Sequence, residues 1–527
     1  MVHLLMQLIG SFLLVGHAHA AVNNLAFNRW VTALSIIVAY LLLCAWIYKR
    51  HKACSQADEH SAAIPPQAIL VAYASQGGFA RQLAQQTVDT LRGAGTSAYS
   101  LSLNELDAIT LQQCRRALFL VSTTGEGDAP DNAVVFLQHL MSQELSLPSL
   151  EYGILALGDS SYANYCGFGH RLDGWLQHVH ALPLFDLIEV DNGDAGALRH
   201  WQYQLGLLAD NHEILDWQAP HYREWSLVQR QHLNPGSAGA PVYHLALSTT
   251  EPDVSWQAGD IAEIGPRNSP NEVELVLRKL GLAGETRVEG KMLSEILSQC
   301  LLPHDDLALQ ALKQLDVQAL VGELKPLPHR EYSIASLPED GQLELLVRQT
   351  SYADGRLGLG SGWLTKYVEH GGPVALRIRE NAGFHPPASD VPLILIGNGT
   401  GIAGLRAHLK ARVVKNHHQN WLFFGERNAL HDLHFADDLS NWQRQGVLSR
   451  LDTVFSRDQT DMRYVQDAVA VQAAEIRRWV LDLQAAVYVC GSATGMAPAV
   501  HHVLTDILGE SMLTAMTVAG RYRRDIY

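Results

Sequence analysis

The sequence predicts a multidomain α/β chain in which an antiparallel β-barrel with a helical insertion separates two doubly wound units, behind an N-terminal transmembrane helix or hairpin. Three observations carry this expectation. From Ala68 onward, short apolar strands end in glycine- and serine-rich turns that open into helices, the pattern of an open parallel sheet. From about Val242 the texture shifts to strand-like runs broken by turns, and beyond Pro392 strand and helix alternate again. A chain of 527 residues has room for about three ordinary domains.

The membrane segment is expected at Val31–Tyr48, VTALSIIVAYLLLCAWIY, an uncharged run of 18 residues close to the length a helix needs to cross the hydrocarbon layer. Lys49, Arg50 and Lys52 follow it and only Arg29 stands just before it, which places the C-terminal side in the cytoplasm. The expectation is therefore an inner (cytoplasmic) membrane location with the remaining domains facing the cytoplasm. Leu4–Gly16 is also apolar and ends in Ala18-His19-Ala20, so residues 1–20 read either as a cleaved signal peptide or as the first helix of a hairpin. His17 and His19 do not make a haem pair, because two residues apart on a helix they point about 200° from one another. The polar stretch around Pro65-Pro66 has no hydrophobic periodicity and reads as a linker. The expected division is an anchor over 1–53, a linker over 54–67, a first domain over 68–210, a barrel over 211–390 with its insertion at about 271–320, and a last domain over 391–527.

The formal charge of -15 provides no basic footprint for nucleic acid, while a cationic protein surface would be attracted. Six cysteines, Cys44, Cys54, Cys114, Cys166, Cys300 and Cys490, are scattered without a C-x-x-C pair. Neither a zinc site nor an iron–sulfur cluster has its usual ligands, so no metal is expected and reduced thiols fit best.

The strand Ala68–Ala74 turns at Ser75-Gln76-Gly77-Gly78 into a helical pattern beginning near Phe79. A phosphate fits such a turn: unpaired N–H groups at a helix start carry partial positive charge, glycines let oxygens approach, and Ser75 adds a hydroxyl. A second strand, Ala117–Val121, runs into Ser122-Thr123-Thr124-Gly125-Glu126-Gly127-Asp128, and a third, Gly153–Leu157, into Gly158-Asp159-Ser160-Ser161-Tyr162-Ala163-Asn164-Tyr165-Cys166. In a parallel sheet these loops gather at one edge and enclose one flat cofactor, with Tyr162 or Tyr165 available to stack on an isoalloxazine ring.

These loops resemble the flavodoxin-like FMN domain of diflavin reductases, the family that includes the sulfite reductase flavoprotein subunit and the microsomal cytochrome reductases. The resemblance covers roughly Ala68 to the final residue. It implies that Ser75–Gly78 hold the FMN phosphate and that Ser122–Gly127 and Gly158–Cys166 hold its ring. Gly77 stands where the family usually has Thr, and Thr124 where many members have a stacking Tyr. Trp256–Ile264 resembles the family's FAD-binding barrel, and the helical stretch after Asn271 resembles a shortened connecting insertion. In Arg330-Glu331-Tyr332-Ser333 one strand offers a guanidinium for the FAD pyrophosphate, an aromatic for the flavin and a hydroxyl near its N5. Gly358-Leu359-Gly360-Ser361 resembles the pyrophosphate loop, with Gly360 in place of a common Cys.

Leu393–Ile396 then leads into Gly397-Asn398-Gly399-Thr400-Gly401, a strand, a glycine turn and a helix. Phe423–Asn428, Phe455–Gln459, Tyr464-Val465-Gln466 and Val487–Gly491 follow in the order of the family's ferredoxin-reductase-like NADP-binding domain. Gly399, Thr400, Gly401, Tyr464 and Gln466 are its expected nucleotide residues. Ser456 and Arg457 offer a hydroxyl and a fixed positive fork for a 2′-phosphate, which favours NADPH over NADH. The cation expected six places after Ser456 is Met462, and Arg463 beside it is expected on the opposite face of a strand. The resemblance further implies that Ser333, Cys490 and Asp525 form the hydride-transfer set and that the terminal Tyr527 covers the FAD ring and moves to admit the nicotinamide. The expected activity is NADPH-dependent electron transfer through FAD and FMN to a one-electron acceptor. A haem protein, a sulfite reductase partner or a ferric siderophore system are candidates for it. A reductase with FAD alone and a non-catalytic flavin-binding sensor are the alternatives.

Overall fold

A computed structural model describes residues 68–125, 127–160, 162–210, 217, 220–458, 461, 463–493 and 495–527. Its first layer is a parallel sheet of β1 (Ile69–Ala74), β2 (Ala98–Ser102), β3 (Arg116–Ser122), β4 (Glu151–Gly158), β5 (Leu182–Pro183) and β6 (Ile188–Asp191). The order is β2-β1-β3-β4, with β5 and β6 both pairing to β4. Successive strand residues point to opposite faces, so β1 divides its side chains between two cores. Leu70, Ala72 and Ala74 meet Phe168, Leu172 and Trp175 of the helix Gly167–His178. Ile69 and Val71 meet the helices Phe79–Gly93 and Ala195–Leu208. Phe79–Gly93 is helical because Ala80, Leu83, Ala84, Thr87, Val88 and Leu91 recur on one face and bury against that sheet. Each of its large apolar side chains contributes roughly 1.5–3 kcal/mol on burial. With helices on both faces the ends of β1 and β3 are left open, at the point where strand order reverses.

The second sheet is antiparallel: β7 (Arg223–His232), β8 (Val242–Ser248), β9 (Ile261–Gly265), β12 (Arg330–Ser333), β13 (Leu343–Arg348) and β14 (Pro373–Arg379), in the order β12-β9-β14-β7-β8-β13. A bridge between Ile334 and Leu345 and the bond from Ala335 N–H to Glu344 C=O at 2.8 Å join its outer strands, closing the sheet around Trp225, Leu245, Ile264 and Leu376. Between β9 and β12 lie the small hairpin β10 (Arg287–Val288) and β11 (Lys291–Met292) and four helices, Pro270–Leu280, Leu293–Ser298, Asp306–Lys313 and Val317–Glu323. The first of these starts on a capping box, Ser269 with Glu272, with Pro270 at N1, and stops at Gly281 with φ of 73°. The third sheet is parallel: β15 (Leu393–Asn398), β16 (Asn420–Glu426), β17 (Leu448–Phe455), β18 (Ala486–Gly491) and β19 (Tyr522–Ile526), in the order β17-β16-β15-β18-β19.

The second and third sheets are tied by a charged knot. Arg406, on the helix Ile402–Val414, donates to the Ala335 carbonyl at 2.8 Å, to Glu344 of β13 and to Asp438 at 2.7 Å, and His244 lies 3.0 Å from Glu344. Burial alone would lift the Glu344 carboxyl, but the His244 hydrogen bond and the Arg406 charge outweigh it and hold it at about 2. A carboxylate depressed in the folded state stabilises the fold above its unfolded value of 4.5 and loses that contribution as pH falls toward 2. Glu344→Gln is expected to flatten the fall of the urea midpoint across that window. An unchanged slope would remove the knot from the acid response.

Among the described residues no helix is long and apolar enough to cross a membrane. Their longest helix, Phe79–Gly93, has 15 residues and one polar face, against about 20 apolar residues for a span. The segment Val31–Tyr48, the 1–20 leader and the whole 54–67 linker lie outside the described residues, as do Glu126 and Met462.

Candidate functional site

A cavity of about 630 Å³ lies where the open ends of β1, β3 and β4 face the barrel. Gln76 and Gly77 line it from the turn after β1, Ser122, Thr123, Thr124 and Gly125 from the end of β3 and the turn beyond it, and Gly158, Asp159, Tyr162, Asn164, Tyr165 and Cys166 from the third loop. Three loops far apart in the sequence thus share one wall. Ser75 lies just beneath them. Its backbone N–H donates to Asn132 Oδ1 at 2.9 Å, and its buried hydroxyl has no hydrogen-bond partner. An orphan hydroxyl beside the N-terminus of Phe79–Gly93, with Gly78 at φ of 82°, fits the phosphate of a flavin mononucleotide. Gly127 (φ 113°) lies against the third loop, because a Cβ there would fall 2.8 Å from Asn164 Cβ. Tyr162 is exposed and Tyr165 half-buried, so a ring has an aromatic on that side.

The barrel supplies the opposite wall through Glu263, Tyr332, Ser333 and Arg379. Arg330 and Gly358–Ser361 gather behind Tyr332, just outside the lining, since a Cβ on Gly360 would lie 2.7 Å from both Arg330 Cγ and the Tyr332 hydroxyl. A bulkier residue at 360 would displace that Tyr. Leu359 and Gly360 open the short helix Leu359–Gly362. Ser361 exchanges a 2.8 Å hydrogen bond with Thr350, a residue the sequence did not single out.

Ser333, Cys490 and Asp525 converge although 192 residues separate the first from the last. Ser333 Oγ donates to Asp525 Oδ2 at 2.7 Å, and Cys490 Sγ lies 3.7 Å from the same oxygen. Cys490 and Asp525 are register partners across β18 and β19, so the sheet itself brings them side by side. Burial pushes the Cys490 thiol well up, and the neighbouring Asp525 charge adds to that. Burial likewise raises the Asp525 carboxyl, against the two hydrogen bonds it accepts.

Tyr527 lines this cavity and also a second one, of about 600 Å³, at the carboxyl ends of β15 and β16. Its hydroxyl donates to Thr400 Oγ1 at 3.3 Å. Gly399, Thr400, Ser456, Tyr464 and Gln466 line the second cavity, together with Arg348, Arg427 and Arg463. Gly401 packs behind it, where a Cβ would lie 2.1 Å from the Cys490 carbonyl. Arg457 is exposed and outside that lining, whereas Arg463 is part of it. The expected strand at Arg463 is in fact a loop, fixed by Asp467, whose carboxylate accepts the Arg463 and Tyr464 N–H groups at 3.0 and 2.9 Å and starts the helix Val465–Val471. Strand alternation therefore does not govern where Arg463 points.

Two doubly wound units joined through a barrel, with a cavity between the first unit and the barrel, are the arrangement that the resemblance to diflavin reductases implies. The flavodoxin family matches residues 71–201, and the oxidoreductase NAD-binding domain family matches residues 395–502. Along its length the chain is similar to sulfite reductase [NADPH] flavoprotein alpha-components. One from Vibrio cholerae serotype O1 is 29% identical, with 87% of this chain and 87% of the relative covered. One from Vibrio vulnificus is 28% identical, covering 90% and 89%. One from Klebsiella pneumoniae is 29% identical, covering 87% and 90%. These relatives contradict the membrane location read from Val31–Tyr48, which is corrected accordingly.

Proposed function

We propose that the chain is an NADPH-dependent diflavin oxidoreductase, with FMN in the three-loop wall, FAD against the barrel and NADPH in the second cavity. The observation that carries this reading is the convergence of Ser333 and Cys490 on Asp525, with Ser333 and Asp525 lining the cavity that the three loops also line. When bound, the two flavins turn a hydride's electron pair into single electrons for an acceptor. The protein's part is to bind, orient and exclude water. Asp525, kept dry and fixed by Ser333 and Cys490, places a carboxylate beside the site where the nicotinamide ring arrives. Tyr527, shared by both cavities, closes the passage between them until it swings aside, releasing Thr400. The name alpha-component in the relatives supports a second sulfite reductase component as the acceptor of this chain. Purified protein is expected to oxidise NADPH while reducing both ferricyanide and cytochrome c. Reduction of ferricyanide alone would discard the FMN branch, and no NADPH oxidation would discard the reading.

Arg463 and Ser456 are the proposed holders of the 2′-phosphate, since both line the second cavity and Arg457 does not. Arg463→Ala is expected to raise KM for NADPH about tenfold, the loss of one charge-assisted hydrogen bond, with KM for NADH unchanged. Equal effects on both coenzymes would assign Arg463 to the fold.

A further inference from the structure

Among the described residues the C-terminal strand β19 is an edge strand, paired only to β18. Neighbouring side chains on a strand point to opposite faces. Asp525 faces inward, to Ser333 and Cys490. Arg524 faces the other way and reaches the flavodoxin domain, where its Nε donates to Asp131 Oδ1 at 2.8 Å and its Nη2 to the same oxygen. The Arg524 carbonyl accepts from the Gln76 side-chain amide, and Gln76 Oε1 accepts from Asp131 N–H at 3.1 Å, so the circuit closes on the phosphate turn. Both charged side chains are largely covered, at 19% and 18% exposure. The other polar links between the flavodoxin domain and the rest include Arg81 with Glu380 at 3.4 Å and Gln138 with Glu510 at 3.3 Å, both exposed and therefore weak. Arg523, between Tyr522 and Arg524, is held separately on the Ala382 carbonyl at 2.8 Å, which leaves Arg524 as the cation of β19 that meets the flavodoxin domain.

We infer that Arg524 is a positioning residue whose bridge to Asp131 couples docking of the flavodoxin domain to the placement of Asp525 and Tyr527, so that the chain accepts hydride fastest when docked. An edge strand gripped on its outer face by another domain loosens when that domain leaves. Asp525 and Tyr527 sit one and three residues from the grip. The undocked chain, turned toward its acceptor, is then slow to take a second hydride, which keeps reduction and delivery in alternation. This inference rests on the reading of the chain as a diflavin reductase.

The test uses the full chain as Asp131→Arg, Arg524→Asp and the reciprocal double variant, with Arg524→Lys as the mild control. Two quantities are read: the radius of gyration by small-angle X-ray scattering, and the rate of flavin bleaching after mixing with NADPH in stopped flow. Each reversed single variant is expected to expand and to bleach about tenfold more slowly, and the double variant to recover both, since charge exchange restores a paired contact. Arg524→Lys keeps the charge but not the two-pronged contact and is expected in between. Expansion with an unchanged bleaching rate overturns the coupling, and compact single variants overturn the latch. If the single variants do not fold, a folded double variant with wild-type dimensions and rate supports the latch, and one that is expanded or slow overturns it. A chain without flavin would end the functional reading instead, and the scattering arm would still report on the latch.

Discussion

Asp525→Asn is expected to slow NADPH-driven flavin reduction by about a hundredfold or more, the scale reached when a preorganised electrostatic partner of a reaction is removed. The substitution keeps an oxygen to accept from Ser333 at 2.7 Å but removes the negative charge. Turnover with ferricyanide and turnover over KM are expected to fall together, as for an interaction made at the reacting stage and not in binding. Stability is expected to move the other way. Burial raises the Asp525 carboxyl, so its proton is held more tightly in the folded chain than in the unfolded one. Its contribution is present at low pH and lost as pH rises through the folded value, leaving the ionised group a cost at neutral pH. Asn carries no such cost, and Asp525→Asn should melt at the same temperature as the parent or higher, the trade expected where function is served by a dry charge. A bleaching rate within about threefold of the parent would take Asp525 out of the hydride step, because an electrostatic role of this kind is worth far more.

Gly78→Val is expected to remove FMN and leave FAD. Gly78 has a φ of 82°, a conformation a β-branched residue holds only under strain, and a Cβ there would lie 2.4 Å from the Glu380 carbonyl oxygen. That oxygen is backbone and cannot rotate away, so the phosphate turn has to shift from beneath its helix. Cytochrome c reduction is expected to drop by about a hundredfold and ferricyanide reduction to stay within about twofold, the pattern of losing one carrier and not the hydride step. Retained FMN with full cytochrome c reduction would show that the phosphate sits elsewhere.

The parts of this molecule that could be read in the sequence are the local ones. Ser75–Gly78, Ser122–Gly127 and Gly158–Cys166 each follow a short apolar strand, and strand ends in a parallel sheet share one edge, so their meeting follows from topology. Gly399–Gly401 is of the same kind. Ser333, Cys490 and Asp525 carry no local pattern that joins them, and resemblance to a family singled them out. The grip of Asp131 on Arg524 spans 393 residues and left no trace in periodicity or composition. Thr350 was missed because a single hydroxyl fastening Ser361 looks like any other threonine in a strand-to-turn segment. Arg463 differs for a physical reason: strand alternation puts it opposite Met462, while Asp467 captures two backbone N–H groups, makes the segment a loop and starts a helix. The N-terminal apolar run misled more seriously, since its length and flanking charge suggested a location that the comparisons contradict.

The account stands on two flavins in one chain. Flavin released by acid from the folded, purified protein and separated by chromatography tests it most directly. The expected result is FMN and FAD in equal amounts, one of each per chain. FAD alone, or a colourless chain that takes up neither flavin on reconstitution, would contradict it.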